Sequence, residues 1–459
     1  MHDLTKGSIA RSLLQTASFM LVGMVFQTLY FLVDLYFVGK LGKAAVAAVS
    51  LSGNLMFLVL ALTQMLGVGT TALIAHATGR KDRAEARLIF NQSQVLSLVV
   101  GGACLVVLMA LRGRFARAQS ADPETARLAA EYLAWFIPSL AAQFAMVATA
   151  SALRGIGDFK PGMIVQSATV VVNIVLAPTL MFGWGTGRPM GVAGTALASF
   201  IAVVVGVAAL LWYVVRRPGY LELARSEWRP RLALWGRMLK IGLPAGAEFA
   251  LMGAYMFAVY AITRGFGAAA QAGFGIGLRV IQAGFMPVIA LGFSVSPVAG
   301  QNFGARLPDR VRGTFRVAAV MAAVAMAVLA IVCQLWPEAL VKIFNSDPEV
   351  VAVGAEYLAI VAWNFVPSGI VFVSSSMFQA MGNTVPPLVS SVVRTCMAII
   401  PAALLSRTAG FSLRWIWYIS AASVVLQMGL NLVFLRREYR RKLSPLAAPA
   451  EAQRLAAAG

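Results

Sequence analysis

Stretches of about 20 apolar residues recur from one end of this chain to the other, separated by short segments that hold almost all of its charge. Each is long enough to cross a bilayer as a helix. In lipid only helices and closed barrels satisfy every backbone N–H and C=O group. Barrel strands alternate in polarity, whereas runs such as "QVLSLVVGGACLVVLMAL" (94–111) do not. The expected fold class is therefore all-α: a polytopic membrane protein with twelve transmembrane helices in two six-helix lobes related by an internal repeat. Composition agrees, since 59% of the 459 residues are hydrophobic and only 12% charged, about half the charge of a soluble domain.

The expected spans are 11–36, 50–75, 93–112, 127–152, 162–184 and 191–215, then 241–263, 273–299, 315–336, 353–378, 386–406 and 412–435. The net charge of +20 lies in loops and reads as a topology signal and an attraction to anionic lipid, not as a nucleic-acid surface. With the N-terminus inside, roughly 25 of the 38 Lys and Arg fall in cytoplasmic segments and about 11 outside. Both termini are thus expected in the cytoplasm of a multi-pass protein of the cell's inner membrane. The first apolar run is too long for a cleaved signal peptide. Cys104, Cys333 and Cys396 are isolated within apolar spans, a spacing that suits neither a disulfide framework nor zinc.

An internal repeat organises the chain. "SADPETARLAAEYLA" (120–134) matches "NSDPEVVAVGAEYLA" (345–359), and the same offset aligns Gly42 with Gly267, Gly79 with Gly304, Arg87 with Arg312 and Gly157 with Gly382. The expected divisions are an N-terminal lobe 1–215, a basic cytoplasmic linker 216–240, a C-terminal lobe 241–436 and a disordered cytoplasmic tail 437–459. An even number of spans per half makes the repeats parallel, a plan found in alternating-access transporters. Asp122-Pro123 and Asp347-Pro348 read as N-caps followed by proline at the first helical position.

An enzyme is not expected. The chain lacks GxxxxGK[ST], HExxH and GxSxG patterns and any soluble stretch large enough for a nucleotide-binding domain. Its two histidines are His2 and His76. A secondary transporter without a cofactor fits better, with membrane lipid as a partner, no nucleic acid, and a monomer as the working unit.

Two acids lie within spans. Intramembrane charge is costly and normally faces a cavity or a partner. Asp34 ends the first span; Tyr30 and Gln27 precede it by four and seven residues and share its helix face. Glu248 lies in the seventh span with Met252 and Tyr255 on its face. Arg279 and Arg394, the basic residues well inside spans, are candidate partners for Glu248 in a structural ion pair. Glu131 and Glu356 are expected at the interface, one turn into their helices.

"VDLYFVGKLGKAAVAAVSL" (33–51), "GIGLRVIQAGFMPVIALGFSVSPVAGQNFGA" (275–305), "ALRGIGDFKP" (152–161) and "QAMGNTVPP" (379–387) together resemble the multidrug and toxic compound extrusion (MATE) family. The resemblance covers residues 10 to about 440. It implies two lobes, a central cleft and cation-driven export of organic, often cationic and amphipathic, compounds. It places a coupling aspartate at Asp34, with Asn173 of the fifth span among its partners, and a second cation site at Glu248. Relatives often carry an aspartate where this chain has Ala177, before Pro178. A sodium site at Asp34 is possible, but the loss of one carboxylate favours the proton, which needs a single protonatable group. A lipid-linked oligosaccharide flippase of the same superfamily is the alternative, with a channel or receptor behind it.

Overall fold

The computed structural model describes residues 3–120, 122–184, 187–217, 219–406 and 412–446, apart from the side chains of Asn54 and Phe57. Fourteen α-helices and no strand occur among them. The first six are α1 (Ile9–Gly39), α2 (Lys43–Gly79), α3 (Arg83–Gln119), α4 (Pro123–Gly155), α5 (Lys160–Phe182) and α6 (Val192–Arg216). The remainder are α7 (Leu232–Thr263), α8 (Ala268–Gly304), α9 (Pro308–Leu335), α10 (Pro337–Lys342), α11 (Pro348–Val361), α12 (Phe365–Ala380), α13 (Val385–Leu405) and α14 (Leu413–Lys442).

Twelve spans are long and apolar enough to cross a membrane, matching the sequence reading in number and order. The helices outrun the apolar stretches that reveal them: the expected span 93–112 lies within α3, Arg83–Gln119. Hydropathy marks the buried segment, while hydrogen bonding propagates the helix to the next cap. The tenth span is divided. A 3-10 turn at Ala362–Asn364 separates α11 from α12, next to Pro367, which has no N–H for the helical ladder. The short α10 has no counterpart among the expected spans. At the other end, α14 continues through Lys442 into the segment expected to be tail; 447–459 lies outside the described residues.

Capping is as the sequence implies. Asp122 accepts hydrogen bonds from the N–H of Thr125 at 2.8 Å and from its hydroxyl at 2.7 Å. These bonds hold its carboxyl below the usual aspartate range. Asp347 accepts from the N–H of Glu349 at 2.9 Å. The repeat extends to backbone conformation: Gly42 and Gly267, and Gly157 and Gly382, are all left-handed at equivalent positions. So are Lys81 and Arg306, where a side chain is tolerated less easily.

Two compact units result, one comprising Asp3 with Ser18–Gly246 and the other Leu4–Ala17 with the described residues from Ala247 onward. Helices α1 and α7 therefore each serve both units. In unit 1, α4 packs on α2, α3 and α6, and α5 lies against α6. The first turns of α7 join that core through Leu234, Met238, Ile241 and Ala245. Glycines permit the approach: a Cβ on Gly242 would sit 1.9 Å from the carbonyl oxygen of Met65, and one on Gly69 2.4 Å from that of Met238. Such contacts between small residues drive helix association where lipid supplies no hydrophobic force.

In unit 2, α8 packs on α9, α11 and α12, and α13 on α14. Here the N-terminal segment fills the equivalent role. Leu4 and Leu13 are fully buried in that unit's core. The N–H of Leu4 donates to Gln301 at 3.3 Å, and Asn302 donates to the Leu4 carbonyl at 3.2 Å.

The basic segment before α7 is anchored in unit 1. Asn91, fully buried, donates to the carbonyl of Glu222 at 2.8 Å and accepts from the N–H of Ala224 and the indole of Trp228. Its neighbour Gln92 donates to the carbonyls of Glu227 and Arg229 and accepts from the N–H of Arg231. Arg87 pairs with Glu227 at 3.0 Å. The linker is thus held by satisfied backbone groups.

Candidate ion-coupling and substrate sites

Most acids lie where water reaches them. Glu131 pairs with Arg127 one turn away at 2.6 Å, and Glu356 pairs with Arg414. The two intramembrane acids differ from these and from each other.

In unit 1, the polar face of α1 meets α5 and α6. The amide of Gln166 donates to Gln27 at 2.6 Å. The hydroxyls of Tyr30 and Ser199 lie 2.8 Å apart, and Asn173, buried, donates to Ser199 at 3.0 Å. Ser199 in turn donates to the Thr195 carbonyl at 3.1 Å. Gln27, Tyr30 and Asn173 therefore do enter one polar seam, as their positions suggest. Their partners are Gln166 and Ser199, not Asp34.

The Asp34 carboxylate is one turn further along that face. Its Oδ1 is buried and has no hydrogen-bond partner among the described residues. The hydroxyls of Tyr30 and Tyr132 are within its electrostatic reach. Tyr132, buried on α4, was not an evident candidate, because a lone aromatic in an apolar span reads as packing. A buried carboxylate oxygen without a donor is unusual. It is suited to a group that takes up a proton or a cation and exchanges it. Among the described residues, no three His, Cys, Asp or Glu side chains come together, so oxygen ligands for sodium here would come from hydroxyl, amide and carbonyl groups.

Glu248 in unit 2 is engaged. One carboxylate oxygen accepts from Ser391 at 3.1 Å and from Ser375 at 3.3 Å. Gln427 supports Ser391 from α14 at 2.9 Å. No ion pair joins it to Arg279 or Arg394 among the described residues. Arg279 is exposed, and Arg394 lies over the ring of Tyr255, 4.7 Å from its centroid. Tyr255 shares a hydrogen bond with Ser420 at 2.8 Å, while Met252 is exposed. Serines such as 199, 375 and 391 are too common in membrane helices for their spacing alone to mark a site.

The MatE family model matches residues 20–179 and 244–404, one stretch in each repeat. The probable multidrug resistance protein NorM of Thermotoga maritima is 28% identical over 89% of this chain and 88% of its own length. The multidrug export protein MepA of Staphylococcus haemolyticus is 26% identical over 82% of this chain and 83% of its own. A crystal structure of MATE in the bent conformation superimposes with a TM-score of 0.90 at 23% identity, covering 97% of this chain and 98% of that one. With the family model spanning most of both repeats, the chain belongs to the MatE family.

Proposed function

We propose that this protein exports small organic compounds, amphipathic cations among them, across the cell's inner membrane in exchange for protons. The observation that carries the reading is the buried, unpartnered Oδ1 of Asp34 in a MatE chain. The multidrug relatives support the substrate class, and the positive-inside distribution supports cytoplasmic termini.

When the site faces the outer side, a proton entering Asp34 cancels its charge and turns an acceptor into a donor. The new donor competes for Tyr30, Gln27 or Asn173, which already hold hydrogen bonds to α5 and α6. That repacking biases α1 and weakens the hold on a cationic substrate, which leaves outward. Facing the cytoplasm, at higher pH, Asp34 loses the proton and the substrate site is restored. The proton and the compound thus stabilise different conformations of one helix, which is the thermodynamic requirement for coupled exchange. Glu248 forms a second cation site in the other unit, its negative charge stabilised by two serine hydroxyls. All of these groups belong to one chain, so a monomer suffices, and the coupling ion is the only accessory species needed.

The test is ethidium export from proteoliposomes of purified protein under an imposed pH gradient without sodium, then under a sodium gradient without a pH difference. Export in the first condition alone supports the reading. Export under sodium alone overturns proton coupling, and none in either condition overturns the function.

A further inference from the structure

Arg394 stands at the middle of α13 (Val385–Leu405), a depth at which a charged side chain faces a cavity or a partner. Its Nε is buried and has no hydrogen-bond partner among the described residues. No acid pairs with it among the described residues. Glu248, which reaches α13 at Ser391, is occupied by Ser391 and Ser375. What the guanidinium does touch is aromatic: it lies over Tyr255 and within electrostatic reach of Tyr357.

Tyr357 belongs to a continuous wall of rings. Tyr357 meets Trp417 edge-on at 4.6 Å, Trp417 stacks on Phe274 at 5.3 Å, and Tyr260 meets Phe274 at 5.0 Å. Phe274, Tyr357 and Trp417 are buried, whereas Tyr260 keeps 37% of its surface open. The buried rings hold the wall rigid and Tyr260 presents its open side, while the half-buried Tyr255 lies five residues earlier on α7, under Arg394. Tyr255 is further fixed by its bond to Ser420.

We propose that Arg394 and this aromatic wall form a binding site for the anionic group of an aromatic compound, a carboxylate, sulfonate or phosphate carried beside a ring. A planar guanidinium with open donors matches such oxyanions. Because it already lies over the Tyr255 ring, its position is set before the ligand arrives. The site accepts the anionic group of an aromatic anion or zwitterion, and assigns that group to Arg394. Assigning that ligand to substrate rests on the exporter reading; the anion site itself does not.

Binding of 1-naphthyl phosphate, 1-naphthol and dodecyl phosphate to the purified full-length protein, by calorimetry, tests it. Wild type should bind 1-naphthyl phosphate about tenfold tighter than either comparison ligand, one lacking the charge and the other the ring. Arg394→Gln should abolish the preference over 1-naphthol. Arg394→Lys, which keeps the charge but not the fork, should retain part of it, and thermal unfolding shows whether each variant is folded. Equal affinity of wild type for the phosphate and for naphthol overturns the proposal, as does an undiminished preference in a folded Arg394→Gln. Dodecyl phosphate binding as tightly as the naphthyl compound overturns the aromatic class in favour of a lipid-like anion. Ethidium export by the wild type separates the two readings. Export without anion preference sinks only this site, and anion preference without any gradient-driven export sinks only the exporter.

Discussion

The hydroxyl of Tyr30 lies 2.8 Å from that of Ser199, tying α1 to α6. The other half of the chain has a counterpart tie: Tyr255 on α7, 225 residues after Tyr30, meets Ser420 on α14, 221 residues after Ser199, at the same distance. Each half thus fastens its entry helix to its exit helix by one tyrosine–serine bond. Tyr30→Phe and Tyr255→Phe should each lower stability by about 0.6 kcal/mol, the usual scale for a hydrogen bond between membrane helices. Thermal unfolding in detergent checks this, and a loss above about 2 kcal/mol would mean that the hydroxyls do more than join two helices.

The exchanged helix starts make a sharper prediction. A Cβ at Gly242 would collide with the Met65 carbonyl oxygen, a backbone atom that cannot swing aside. Gly242→Ala should be severely destabilising. Gly253→Ala, on the same helix with open space around it, should be neutral or gain up to about 1 kcal/mol from helix propensity. Similar melting temperatures for the two variants would contradict the packing of α7 in unit 1.

Asn91 should act as a clasp. Asn91→Ala leaves the partly buried Ala224 N–H and Glu222 carbonyl without their partner, at a cost of about 1 kcal/mol or more. The effect should be local: amide exchange should accelerate over 219–231 and remain at wild-type rates in α5. Unchanged protection there would show that Gln92 and Arg87 suffice.

Glu248 accepts serine hydroxyls instead of pairing with arginine, so Glu248→Gln keeps an acceptor oxygen and should fold with near wild-type stability. Transport should fall if the carboxylate binds a cation. Poor expression of this variant would restore the structural ion-pair reading, because an orphaned buried charge costs about 3–5 kcal/mol. A variant normal in both stability and transport would remove both roles.

Much of this was legible in advance, for physical reasons. Apolar runs near 20 residues, the Asp122 and Asp347 caps and the duplicated glycines are local signals, and the repeat ties them into twelve spans. The polar seam was partly legible: Gln27 and Tyr30 share a face with Asp34, and Asn173 faces them across the fold. Ser199, Gln166 and Tyr132 were not, since a single serine, amide or aromatic in a membrane helix has many possible uses. The exchange of the α1 and α7 starts leaves only glycines in the sequence, and nothing there says which backbone will approach them.

The charge distribution makes a prediction about topology. Reporter fusions after Arg436 should be cytoplasmic, and those within 345–352 should face outward. An outward C-terminus would break the parallel-repeat arrangement.

The central claim is that the Asp34 carboxylate, whose buried Oδ1 has no partner among the described residues, carries the coupling proton. Asp34→Asn keeps size and polarity, stands in for the protonated form, and leaves the Tyr30–Ser199 and Gln27–Gln166 bonds intact. The direct measurement is the rate of ethidium export driven by an imposed pH gradient without sodium, in proteoliposomes of wild type and of Asp34→Asn with a matched melting temperature. The account predicts that the gradient accelerates export by the wild type and has no effect on the variant. Gradient-driven export at the wild-type rate by Asp34→Asn would contradict it.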